Sequence, residues 1–376
     1  MSLRFISAGA AHGLVAACAK DERLEVDGSF GAVGAMMERF RAGDAADILI
    51  LTHAQIAQLT AEAGVVPGTA ADLGAVPTSV AVKASDPSPG VADADALRNA
   101  LLNADAIYFP DPAKATAGIH FAKVIDQLGI RDRVADRVRT FPNGATAMRA
   151  MAEASGKPIG CTQSTEILAT PGVRLIAPLP AGLDLETVYT AAVHAKAANA
   201  NEALAFVHDL TGDASRAMRR RAGFGGYAIR TATGDDHDPV RALVSSVLAE
   251  YRITPDPDDA DLDLVDIDAT YFSGGTLDVV TDPDGRVVGS CGVVRLDDER
   301  CELKKMYMLP AARGRGIGRR LLDRAVAFAR GRGFRRIELT TASVLVEAIA
   351  MYRRHGFSPI QREMPNRCDQ AFALSL

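Results

Sequence analysis

Over its first 224 residues the chain alternates short apolar runs with amphipathic stretches, and that rhythm leaves few folds open. Residues 3–7, 48–51, 79–82 and 106–109 read as strands, and 12–20, 35–41, 118–128 and 145–154 as helices. Such alternation predicts an α/β fold on a parallel sheet, with ligands at the strand carboxyl ends. A helix over 214–221 and then Gly223-Phe224-Gly225-Gly226 mark a stop and a short linker. From Tyr227 the pattern changes. A strand at 227–231 and a turn at Thr233-Gly234-Asp235-Asp236 lead to a helix over 239–251, capped by Asp238 with Pro239 at its first position. Strands at 277–280 and 287–294 flank the hairpin signal Asp282-Pro283-Asp284-Gly285. A strand at 302–308, a glycine-rich loop with its helix, a strand at 337–340 and a helix at 344–355 follow, then short strands near Ile360 and Phe372. At 376 residues the chain exceeds one hydrophobic core, so two domains are expected, 1–225 and 227–376.

Composition narrows the chemistry. A net charge of -5, no tryptophan and 5% aromatics argue against a nucleic-acid partner. The five cysteines are scattered without a CxxC pair, which fits reduced thiols rather than disulfides or zinc. The seven histidines show no HxxxH or HExxH spacing, so no metal site is expected. No run of 18 apolar residues exists, so no membrane partner is expected. Leu14-Val15-Ala16-Ala17-Cys18 is similar to a lipoprotein cleavage box, but cleavage there would delete the first strand and most of its helix. A cytoplasmic location is therefore the expectation.

The loop Arg313-Gly314-Arg315-Gly316-Ile317-Gly318 places glycine at every second position just before a helix. Successive amides can then turn toward one anion, and the helix end adds its partial charge. A nucleotide P-loop needs Lys-Ser or Lys-Thr after the glycines, which this chain lacks. A dinucleotide fingerprint needs GxGxxG; Glu338 is well spaced for a ribose, but a single βαβ unit leaves no room for that fold. The plain alternative is a glycine-rich helix entry with exposed arginines.

Arg313-x-x-Gly316-x-Gly318 after the strand at 302–308 resembles the acetyl-CoA pyrophosphate loop of the GNAT N-acetyltransferase family. Ala348 to Phe357, with Tyr352 and Gly356-Phe357, resembles that family's second signature, and 228–233 its first strand. The resemblance implies a splayed strand pair whose backbone at Met306, Tyr307 and Met308 binds the pantetheine and stabilises the oxyanion. It implies that Arg313, Gly314, Arg315, Gly316, Ile317, Gly318 and Arg319 hold the diphosphate. It implies Tyr352 as the acid for the departing thiolate and Glu302 as the base toward the amine, acting through water. Where the family often has an asparagine, this chain has Leu345. The implied activity is acetyl-CoA-dependent acetyl transfer to an amine of a small molecule or protein. Seven aspartates within 256–268 read either as a rim for a cationic amine or as a solvated loop. They do not read as a calcium loop, since no glycine follows at the sixth position.

In the first half, small polar residues follow the strands: Ser7-Ala8-Gly9-Ala10, Gly31-Ala32-Val33-Gly34, Thr116-Ala117-Gly118 and Asn143-Gly144. Several helix ends meeting at one cleft would bind an oxyanion by backbone N–H groups. Residues 43–48, Asp111-Pro112 with Ala117-Gly118-Ile119, and the ending Arg221-Ala222-Gly223-Phe224 resemble the type II periplasmic-binding-protein fold, nearest molybdate-binding proteins. The resemblance implies a two-lobed α/β domain, with lobe crossings near 78–82 and 188–193, before a GNAT α/β domain. Its cleft would be lined by Ser7, Ala8, Ala32, Val33, Thr116, Ala117, Gly144 and Gln163, for a small anion or organic acid. Ala32 and Val33 stand where those proteins have serines, and Gln163 where they have tyrosine. Two functions follow: an acetyltransferase whose binding domain regulates it, or an anion binder or sensor whose second domain only holds coenzyme A. A homodimer is a further expectation.

Overall fold

The computed structural model describes residues 2–376, which divide into two compact units. The first comprises the chain to His53 and Asp72–Gly225; the second comprises Ala54–Ala71 and Gly226–Leu376.

The first unit is built on β1 (Ser2–Ala8), β2 (Glu25–Gly31), β3 (Ile48–Thr52), β4 (Ala71–Lys83), β5 (Ile107–Pro110), β6 (Val138–Phe141), β7 (Ile159–Gln163), β8 (Val173–Pro178) and β9 (Glu186–Val193). Their order is β2-β1-β3-β9-β4-β7-β5-β6, with β8 on β4. The sheet is mixed, a correction to the all-parallel expectation. β1 pairs β2 and β3 in parallel, and β5 pairs β6 and β7 in parallel. β9 runs antiparallel to β3, and β4 antiparallel to β7 and β8. The reason is topological: β4 and β9 carry the chain between the two parallel halves, so each must run against a neighbour. Ile48 to Leu51 are wholly buried, as a strand covered on both faces requires.

The second unit contains β10 (Ala228–Thr231), β11 (Thr276–Thr281), β12 (Val287–Arg295), β13 (Arg300–Met308), β14 (Arg336–Thr341), β15 (Ser358–Pro359) and β16 (Gln370–Ser375). They form one sheet in the order β10-β11-β12-β13-β14-β16-β15. The helix Ile317–Gly331 buries Ile317, Leu321, Leu322, Ala325, Val326 and Phe328, spaced for one helical face, into the sheet's core cluster. Burying each large side chain contributes about 1.5–3 kcal/mol. Gly292 lies under the buried Tyr271 ring, where a Cβ would come within 2.1 Å of Cε1, so no larger residue fits. The helix His237–Glu250 begins earlier than the sequence suggested. A tight turn over Gly234–Asp236, closed by a capping box between Thr233 and Asp236, leads straight into it, and Asp238 lies inside the helix.

One buried ion pair ties this unit together. Arg324, 7% exposed, donates to both carboxylate oxygens of Asp278 at 2.7 and 2.9 Å, and to the Ala70 carbonyl. Arg324→Met should strand the Asp278 carboxylate and cost roughly 3–5 kcal/mol. Denaturant unfolding of the variant against wild type measures this; a loss under 1 kcal/mol (about the ceiling for a surface pair) would show the pair to be solvated.

Candidate functional site

β13 and β14 begin as a parallel pair, Arg300 with Arg336, Cys301 with Ile337 and Glu302 with Glu338, and their pairing ends there. Beyond Glu302 the strands part. On its other side β13 carries an irregularity opposite Ser290–Gly292, where Lys305 adopts φ 50°. Left-handed backbone at a non-glycine residue costs roughly 1–3 kcal/mol. Lys305 offsets that cost: its buried Nζ lies 2.7 Å from Asp263 Oδ1, 3.1 Å from Asp261 Oδ1 and 2.7 Å from the Ala260 carbonyl. A bulge of this kind re-aims the residues after it, here Met306, Tyr307 and Met308.

Two cavities use the opening. The larger, of ≈ 2030 Å³, is lined by Met306, Tyr307, Met308, Arg313, Gly314, Gly316, Gly318 and Arg319, with Tyr251, Glu347, Arg354 and His355. The smaller, of ≈ 690 Å³, is lined by Lys304, Lys305, Tyr352, Arg367 and Cys368 among others. Met306, Tyr307, Leu345 and Ala348 line both, so the cavities meet beside the strand gap.

The loop before the Ile317–Gly331 helix has the predicted anion-cradle form. Gly314 and Gly316 have φ 75° and 74°, and a Cβ on either would meet open space. The first-turn amides of that helix lack intrahelical acceptors, and its end favours negative charge. These features fit a diphosphate. Arg319 is exposed at the rim. Arg313 is held instead by Glu250, with Nη1 and Nη2 on its carboxylate at 2.6 and 2.7 Å and Nε on the Met308 carbonyl at 2.9 Å. That ion pair, through its hydrogen bonds, holds the Glu250 carboxyl below the usual range. Two predicted contacts fall outside the cavity. Ile317 is a core residue at 3% exposure, and the Arg315 guanidinium stacks over the Tyr227 ring at 5.5 Å.

Tyr352 lies on the Val346–Arg354 helix, 5% exposed, and its ring reaches the smaller cavity. Burial pushes its phenol well above the ordinary value, with Cys291 and Tyr307 adding to the shift. Glu302 lines neither cavity. It sits at the last paired position before the strands diverge, beside the lining residue Leu303 and 3.2 Å from Arg362 Nη1. The aspartates of 256–268 form neither a uniform rim nor a uniformly solvated loop. Asp261 and Asp263 are buried against Lys305, Lys304 and Arg367, while Asp258, Asp259, Asp266 and Asp268 are exposed. Arg367 donates to both Asp261 oxygens at 2.6 Å, pairing that the sequence did not reveal because the partners lie 106 positions apart.

The first unit holds its own cavity, of ≈ 290 Å³. Ala8, Ala32, Val33, Thr116, Ala117, Gly144 and Gln163 line it as expected, joined by Asn143, Glu166 and Tyr189. Ser7 does not: it is fully buried and its hydroxyl donates to the Ala8 carbonyl at 3.0 Å. Burial raises the Glu166 carboxyl, opposed by the Thr162 hydroxyl and by the amides of Ala145, Gly144 and Gln163. Burial, with the Glu166 charge second, also raises the Tyr189 phenol, so Tyr189 remains a donor.

All five cysteines are free, and burial raises the four interior thiols. Among the described residues no helix is long and apolar enough to cross a membrane.

Comparison with known proteins matches these units to two families. The model of the bacterial extracellular solute-binding protein family covers residues 7–225, and that of the acetyltransferase (GNAT) family residues 243–357. The uncharacterized N-acetyltransferase YjgM of Escherichia coli (strain K12) is 37% identical over 137 residues, 35% of this chain and 82% of its own length. An aconitate isomerase of Pseudomonas is 24% identical over 189 residues, 49% of this chain and 69% of its own. Among solved structures, the periplasmic molybdate-binding protein of Azotobacter vinelandii superposes with a TM-score of 0.49 at 18% identity, over 59% of this chain and 98% of its own. Through residues 7–225 the chain belongs to the bacterial extracellular solute-binding protein family, and its second unit is an acetyltransferase of the GNAT family.

Proposed function

We propose that the second unit transfers an acetyl group from acetyl-CoA to an amine by direct attack, and that the first unit binds a small anion that regulates the transfer. The observation that carries the first part is the adjoining pair of cavities at the β13–β14 divergence, one beside the glycine cradle and one beside Tyr352. Bound acetyl-CoA would supply an activated thioester carbonyl. Gly314, Gly316 and Gly318 would orient amides toward its diphosphate, with Arg319 adding charge. Backbone N–H groups among 306–308 that face the gap left by β14, on the side of β13 away from its β12 partners Ser290 and Gly289, would steady the oxyanion. As the amine forms the C–N bond and the C–S bond breaks, Tyr352 gives its proton to the thiolate. The proton leaving the amine goes to solvent and the phenol is restored in turn. Glu302, one residue before the lining residue Leu303, would take that proton only through an intervening water.

The lining favours an acceptor that carries an acidic group beside its amine. Lys304, Lys305 and Arg367 bring three positive charges, against two from Asp261 and Asp263 behind them, a surplus of one. Thiol release from acetyl-CoA should therefore be faster with amino acids than with their decarboxylated amines. Equal or reversed rates would refute that preference. A failure of every amine to release thiol while coenzyme A still binds would favour the reading in which this unit only holds the cofactor.

The regulatory part is supported by the presence of a small polar-lined cavity in the first unit and by the joining of the two units in one chain. A ligand of that cavity should change the kinetics of acetyl transfer; identical kinetics with the cavity saturated and empty would rule regulation out.

A further inference from the structure

The cavity of the first unit has two walls of opposite chemistry. On one side the helices Val33–Arg41 and Thr116–Gln127 begin, with Val33, Thr116 and Ala117 in the lining. First-turn amides lack intrahelical acceptors and attract an oxyanion; the Gly34 amide already meets the Lys114 carbonyl at 3.2 Å, so the ends concerned are those of Val33, Thr116 and Ala117. On the other side the start of the Gly144–Ala152 helix is already taken. The amides of Gly144 and Ala145 and the Thr162 hydroxyl, at 2.6 Å, all donate to the Glu166 carboxylate. The fit is close: a Cβ on Gly144 would lie 2.0 Å from Glu166 Oε2. Beside it stands Gln163, 3% exposed. Its Nε2 donates to Thr187 Oγ1 at 3.2 Å, and its Oε1, buried in the lining, has no donor. An acceptor buried without a donor is costly, and a ligand that brings the donor recovers that cost. The second wall therefore offers two acceptors, Gln163 Oε1 and Glu166, against one donor, the Tyr189 phenol that also meets the Gln163 side chain.

We propose that this cavity binds a small oxyanion carrying its own O–H donor, with its charged oxygens on the helix ends at Val33 and Thr116 and its hydroxyl on Gln163 Oε1 and Glu166. The assignment rests on the anion-binding reading of the first unit and narrows it. Sulfate and molybdate bring no proton near neutrality and would set bare oxygens against the Glu166 carboxylate and the Gln163 carbonyl. Hydrogen phosphate and short 2-hydroxy acids bring one. The space enclosed between these walls is small, so the ligand has only a few heavy atoms.

Titration calorimetry on the full chain at neutral pH, with two matched pairs and molybdate, tests this. Hydrogen phosphate and sulfate share a shape and differ by a proton; glycolate and acetate differ by a hydroxyl. In at least one pair the donor-bearing member should bind about 10-fold tighter or more, and which pair shows it separates the mineral from the organic source. Gln163→Leu, which removes the acceptor, should shrink that preference to about threefold or less, and Glu166→Gln should admit sulfate. Sulfate, molybdate and acetate binding as tightly as the donor-bearing probes would overturn the proposal and leave the anion site standing. A preference that survives both substitutions would overturn it too. Absence of binding by all five probes, with a cooperative melt proving the chain folded, would remove the anion-binding reading itself.

Discussion

Replacing Tyr352 by phenylalanine should lower the kcat of acetyl transfer by about 10²–10³-fold and leave coenzyme A affinity within about twofold. The ring stays, so the packing against Phe357, 5.8 Å between centroids, is kept; only the hydroxyl is lost. A thiolate with an ordinary pKa near ~8.5 leaves poorly without a proton, and Tyr352 lines the smaller cavity beside the strand gap, as does the Tyr307 phenol. Because burial raises the Tyr352 phenol, it is lost as an acid only when pH climbs through the raised value. Wild-type kcat should accordingly show no alkaline fall from this group below pH 10, the ordinary phenol value. The variant should keep the same profile at a lower level. A variant with unchanged kcat, or with kcat and affinity lost together, would place Tyr352 in packing alone.

Gly316→Val should weaken coenzyme A binding by about 100-fold, read by calorimetry on the full chain. At φ 74° Gly316 precedes the helix in a left-handed conformation. A side chain there costs about 1–2 kcal/mol, equal to about 5- to 30-fold, and more for a branched residue. The rest of the loss comes from amides turned away as the loop relaxes. Nothing in the protein collides with the new side chain, since the site for its Cβ is open. Gly333→Val is the matched control: φ 83°, also open, but outside both cavities. It should carry the same strain and bind coenzyme A normally. Equal effects from the two variants would mean that the loop acts through stability, not through contact.

What could be read from the chain depends on how local each feature is. The loop at Arg313–Gly318 and the Tyr352 helix were legible because spacing along the sequence fixes them. β4 and β9 ran against the expected parallel order because direction in a sheet is set by which strands cross between lobes. Neither crossing leaves a mark on periodicity. Glu302 was legible as a strand carboxylate near the site; its place at the last paired position, just short of the cavity lining, appears only once the strands are seen to part. Asp261, Lys305 and Arg367 meet only in the folded unit, so a run of aspartates read as one surface is split into buried and exposed groups. Glu166 was missed because a carboxylate on a five-residue helix carries no pattern, and its place against Gly144 appears only in three dimensions.

The central claim is that the parted strands and the glycine cradle together grip coenzyme A. Amide hydrogen exchange on the full chain, with and without acetyl-CoA, tests it at the residues concerned. Slowed exchange should appear at 306–308 and at 314–318, with the β10–β11 amides unchanged. Protection confined to other segments, or none at saturating cofactor, would contradict it.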